Sequence, residues 1–107
     1  MERHGAVIRV RPEKLEEYKR YHANVWPEVV KTIRKCNIRN YSIFHKDGYL
    51  FAYFEYHGRD FKADMDKMAA DPKTQEWWAI MKPMQIPLET RARDEWWAEM
   101  EEVFHTD

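Results

Sequence analysis

Tyr18 and His22 stand four residues apart in the stretch "EEYKRYHANVWPE", residues 16–28. A four-residue step puts two side chains on the same face of a helix. An imidazole titrates near neutrality, so its neutral form accepts a proton and its charged form donates one. A phenol one turn away can hydrogen-bond a hydroxyl group or simply fill space. Ordinary packing on that face calls for Leu or Ile, which makes the pair a candidate site. Tyr41, in a β-rich run, offers a second phenol, and Trp77-Trp78 offer flat apolar walls. For each tyrosine the plainer alternative is core packing with the hydroxyl at the rim. Taken together, two phenols, a neutral-pH acid or base and aromatic platforms suit a small polyhydroxylated ligand. Glu28 is a possible helper, with an exposed helix carboxylate as its simpler reading.

Other chemistries find little support. The five histidines, His4, His22, His45, His57 and His105, are scattered, with no His-x-x-x-His pair and no Cys companion, so no metal site is expected. The three glycines stand alone and form no phosphate-binding loop. Nothing local marks Cys36 as a nucleophile. As the sole cysteine it cannot form an internal disulfide, which suits a reducing compartment. "MERHGAVIRV" carries charge and alternation where a signal peptide needs an apolar segment, so a cytoplasmic location is expected. Eighteen Lys and Arg against nineteen Asp and Glu give a net charge of −1 with both signs interspersed. That leaves no basic footprint for nucleic acid and no polybasic membrane segment. The apolar runs are too short to span a bilayer.

The 107 residues suffice for one domain, 1–107, with a single core. Residues 4–10 alternate as a strand. Pro12 opens a helix with Glu13, Glu16 and Glu17 near its positive end, and Leu15, Tyr18 and His22 share its buried face. Trp26-Pro27 stops that helix, and a second piece with Val29, Val30 and Ile33 as its apolar side runs to about Cys36. Lys46-Asp47-Gly48 marks a hairpin turn between two β-rich runs. In the second run, residues 49–57, Tyr49, Phe51 and Tyr53 occupy one face and Leu50, Ala52, Phe54 and Tyr56 the other. Both faces want cover, one from helices and one from a second subunit. A helix over residues 60–70, N-capped by Asp60, precedes another capped by Thr74 and closed by Pro83. Residues 85–95 read as a surface loop, and "WAEMEEVF" as a terminal strand. The order β-α-β-β-α-β predicts a ferredoxin-like α+β sandwich. Two such sheets face to face would make a homodimer, a dimeric α/β barrel.

"EEYKRYHANVWPEV", "RNYSIF", "TQEWWAIM" and the terminal "EEVF", in this order and spacing, resemble the L-rhamnose mutarotase family across nearly the whole chain. The resemblance implies a dimeric ferredoxin-like protein that interconverts the α and β anomers of a 6-deoxy sugar without a cofactor or metal. It implies His22 as the proton donor and Tyr18, Tyr41, Trp77 and Trp78 as sugar contacts. Many relatives carry an Asn-Pro-Asp-Asn-rich loop where this chain has "MQIPLETRARDEWWAEM". Loops commonly set specificity, so L-rhamnose ranks first and L-fucose a close second as substrate. Trp96-Trp97 has no counterpart in the resemblance and is expected to pack at an interface. Two alternatives share the fold class: a haem- or quinone-modifying monooxygenase, and a non-catalytic ligand-binding protein.

Overall fold

The computed structural model describes all 107 residues. The chain runs β1 (Glu2–Val10), a 3-10 turn (Pro12–Lys14), α1 (Leu15–Ala23), α2 (Pro27–Lys35), β2 (Ile38–Lys46) and β3 (Tyr49–Tyr56). It continues through α3 (Phe61–Ala70), α4 (Pro72–Met81), a second 3-10 turn (Lys82–Met84), β4 (Gln85–Ile86) and β5 (Ala98–Met100). The antiparallel sheet has the order β2-β3-β1-β4, with β5 also on β1. This is the expected ferredoxin-like arrangement, with each crossover built from two helices. None of these helices is long and apolar enough to cross a membrane.

Local sequence explains most of the breaks. Helix α1 ends early, at Asn24, whose φ of −141° leaves the helical region. Pro27 therefore does not stop α1 but opens α2, where its missing N–H and fixed φ suit the first turn. On α2, Val29 is buried as expected, while Val30 is 38 % exposed. Asp47 and Gly48 both take positive φ, 53° and 84°, the conformation of a type I′ hairpin turn. Asp60 caps α3, its side chain accepting from the Ala63 N–H at 3.1 Å. Asp71 rather than Thr74 caps α4: its Oδ2 accepts from both the N–H and the hydroxyl of Thr74, each at 2.9 Å. Thr74 falls three residues inside the cap because Pro72 starts the helix earlier.

The largest departure from expectation is the fourth strand. It is two short segments laid end to end along β1, with Val10 opposite Gln85 and Val7 opposite Ala98. Residues 87–97 leave the sheet between them and return. The strand expected over "WAEMEEVF" is thus only Ala98–Met100, and Glu102 reaches β1 through a side-chain pair with Arg3 at 2.7 Å instead of a ladder bond. Val103 and Phe104 beyond it are exposed.

The core lies between sheet and helices. Ile8, Val10 and Leu50 meet Tyr18, Val29, Trp77, Met81 and Met84 there. The opposite sheet face presents Tyr49, Phe51 and, paired with Phe51, Phe44, all exposed. Strand β3 is two-faced, as its sequence suggests, and only one face is covered within the chain.

Candidate active site

Tyr18 and His22 project from α1 toward the sheet. Their rings stack, with centroids 4.3 Å apart and planes 26° from parallel. Tyr18 is buried in the core, and burial pushes its phenol well above the ordinary range for tyrosine. His22 is half-buried; its Nδ1 lies 2.8 Å from the Tyr18 carbonyl oxygen. A carbonyl only accepts, so Nδ1 carries a proton and Nε2 of the neutral ring keeps its lone pair. Burial lowers the His22 pKa, and the bond to the carbonyl offsets this only in part. The resting imidazole is therefore neutral at physiological pH, with its basic nitrogen free of any protein partner.

Trp77 stands edge-on to His22. Its ring lies 5.5 Å from His22, 5.9 Å from Tyr21 and 5.1 Å from Trp26, each near a right angle. It is buried, and most of its surface serves the core. Trp78, one residue on along α4, packs against the same core but is partly exposed, with the Lys82 ammonium 5.6 Å from its ring. Tyr41 arrives from β2 just past an irregularity in the ladder between Arg39 and Ser42, where Asn40 takes a φ of 51°. Its ring leans on Phe54 and the residue is exposed at its surface, while desolvation by the surrounding chain raises its pKa. The Tyr41 phenol is close enough to raise that of Tyr18 as well. All five expected residues line one cavity of about 1260 Å³ between the helices and β2. Glu28 is exposed and outside it.

Two residues of the cavity were missed in the sequence. Gln85, buried on β4, donates through Nε2 to the Tyr18 hydroxyl at 3.1 Å. Trp96, at the end of the 87–97 excursion, donates from Nε1 to Gln85 Oε1 at 2.8 Å. Trp96 and Trp97 pack against the chain's own core and line the cavity. A Gln on a two-residue strand carries no periodicity, so the only available signal was a paired tryptophan in an otherwise polar loop. Nowhere do three His, Cys, Asp or Glu side chains converge as they would to hold a metal ion.

Fold and site together define a ferredoxin-like protein of the dimeric α/β-barrel class, with an imidazole and two phenols in an aromatic-walled cavity. Residues 3–106 match the family model for L-rhamnose mutarotase. An L-rhamnose mutarotase of Oceanobacillus iheyensis is 36 % identical over 110 aligned positions, covering all of both chains. That of Bacillus subtilis is 35 % identical over 86 positions, covering 78 % of this chain and 80 % of the relative. The crystal structure of an L-rhamnose mutarotase from Formosa agariphila superposes with a TM-score of 0.76 over all of both chains, at 22 % identity. The tetracenomycin F2 cyclase of Streptomyces glaucescens gives a TM-score of 0.75 at 14 % identity, over all of this chain and 98 % of the cyclase. These two likenesses establish the fold. The chain belongs to the L-rhamnose mutarotase family, and its activity class is that of the family, a sugar isomerase of the epimerase type.

Proposed function

We propose that the protein interconverts the α and β pyranose anomers of a 6-deoxy-L-hexose, L-rhamnose ahead of L-fucose, without a cofactor. The observation that carries this reading is the neutral His22, its Nδ1 tied back to the helix and its Nε2 facing a cavity walled by phenols and indoles. Ring opening moves one proton from the anomeric hydroxyl to the ring oxygen, two atoms bonded to the same carbon. His22 Nε2 accepts the anomeric proton as the C1–O5 bond breaks and the C1=O1 bond forms. The imidazolium then gives that proton to O5, and the ring returns to neutral. After rotation about C1–C2 the steps reverse and close the other anomer. The proton-donor role implied by the resemblance is thus the second half of the cycle. Tyr18 and Tyr41 hold hydroxyls or the developing O5 alkoxide, while Trp77 and Trp78 take the C–H face and the C6 methyl group.

Exchange NMR of the anomeric protons at equilibrium tests this reading directly. Faster exchange for L-rhamnose is expected; acceleration of neither L-rhamnose nor L-fucose would sink it. The pH profile separates acid-first from base-first chemistry. Because the folded pKa of His22 is lowered, the free base is present above a midpoint that lies below the ordinary value of about 6.5. The catalysed rate should rise with pH through that midpoint. It should then stay level until above pH ~10, since both phenols are raised from their ordinary value. A rate that falls through the acidic midpoint as pH rises would make imidazolium the starting form and overturn the base-first order.

The uncovered sheet face supports a homodimer; a cytoplasmic location is part of the same proposal, in line with a small-sugar isomerase family. Phe44, Tyr49 and Phe51 form an apolar patch on the surface turned away from the helices. Burying a charge among such residues is costly. Phe51→Asp is therefore expected to give a monomer by analytical ultracentrifugation where the parent protein is a dimer. A parent that sediments as a monomer at micromolar concentration contradicts the pairing.

A further inference from the structure

We infer that Gln85 is a positioning residue that turns the Tyr18 phenol into a one-way donor toward the ligand, and that Trp96 sets the direction of Gln85. The inference rests on the mutarotase reading and specifies how its second polar group works. An indole N–H donates and cannot accept, so Trp96 Nε1 must face the amide oxygen of Gln85, at 2.8 Å. That fixes the amide without ambiguity and leaves its N–H₂ toward Tyr18, 3.1 Å from the phenol oxygen. A phenol proton lies close to the ring plane on one side of the oxygen or the other. With the Gln85 N–H occupying one side, the Tyr18 proton is directed to the other. It has no acceptor in the protein, although Tyr18 is only 4 % exposed and Gln85 only 5 %. A buried donor with nothing to donate to is expensive unless a ligand supplies the acceptor.

The elements hold this chain of two bonds firmly. Gln85 sits on β4 opposite Val10 of β1, so its backbone cannot swing. Trp96 is brought back by the 87–97 excursion, and the Lys82 ammonium lies 5.4 Å from its ring and 5.6 Å from that of Trp78. The developing alkoxide at the ring oxygen is the acceptor the arrangement fits. A donor already aimed at it needs no reorientation as charge appears.

Two near-isosteric variants test the inference through exchange rates measured over a range of sugar concentrations. In Gln85→Glu the new carboxylate accepts from Trp96 and from the phenol, which turns the Tyr18 proton away from the ligand. The expected result is a kcat about 100-fold lower at neutral pH, the size of one lost oxyanion donor, with KM changed far less. In Gln85→Met no acceptor competes for the phenol proton, so Tyr18 still donates and kcat stays within about tenfold of the parent. The Gln85→Glu to wild-type ratio should also climb on acidification, because a protonated carboxyl can donate again; taking the ratio removes the titration of His22. Equal losses in the two variants, or a ratio indifferent to pH, would overturn the inference while leaving the mutarotase reading intact. A wild type that accelerates no sugar sinks both. If the buried carboxyl prevents folding, Trp96→Phe takes its place: the amide is freed to turn, and kcat should fall with KM nearly constant. An unchanged kcat in that variant counts against the inference.

Discussion

A protein carrying His22→Ala is expected to fold and to bind sugar, with catalysed anomer exchange lowered by about 10²–10⁴-fold, the usual contribution of one positioned acid or base. Alanine is a better helix former than histidine, so α1 itself does not suffer. What disappears is the imidazole stacked on Tyr18, whose pKa burial lowers from its ordinary value so that the free base is present at neutral pH; the two phenols are raised and cannot substitute. His22→Asn makes a sharper comparison. Its amide N–H can reproduce the bond that Nδ1 makes to the Tyr18 carbonyl while offering no titrating nitrogen. Both variants should lose exchange to the same extent and melt close to the parent. Full exchange in either one, with the fold intact, removes His22 from the mechanism.

Trp77→Ala is expected to be the most damaging change to stability, by about 3–5 kcal/mol, the range for emptying a buried aromatic site. For a domain of this size that lowers Tm by about 12 °C or more. The reason is geometric: Trp77 is the common neighbour of Tyr21, His22 and Trp26, so its removal leaves three edge contacts without a face. Trp78→Ala should melt much nearer the parent, because that ring lies partly exposed, and should lose sugar affinity instead. Thermal melts alongside exchange kinetics separate the two. Comparable Tm losses would mean that the adjacent tryptophans share one structural role, contrary to their different burial.

The sequence made the site's first half legible because its logic is local. Tyr18 and His22 are one turn apart on a helix marked by a proline and acidic residues, and Asp47-Gly48 announces the turn that brings β2 and β3 together. The two-faced pattern of β3 also survives intact, with Leu50 buried and Phe51 exposed. Gln85 and Trp96 belong to a different kind of information. Their bond depends on where an eleven-residue excursion returns, and neither flanking strand is long enough to show alternation. Thr74 went wrong for a related reason: its hydroxyl and N–H look like helix-start chemistry, but the acceptor was Asp71, on the far side of a proline that starts a helix as readily as it ends one.

The split in the fourth strand bears on how this enzyme can change over generations. Because β4 and β5 are pinned separately to β1, the register of the sheet does not depend on how many residues lie between them. Chain-closure entropy grows slowly with length, by about 0.6 kcal/mol for each doubling of a flexible loop. Insertions and deletions there can accumulate while the sheet holds its shape. The same segment delivers Trp96 to the cavity, so each change of length presents the helix-borne imidazole with a differently shaped opposite wall. New sugar preferences can therefore arise at this seam while the Tyr18–His22 pair on α1, the proposed proton-transfer apparatus, is inherited unaltered.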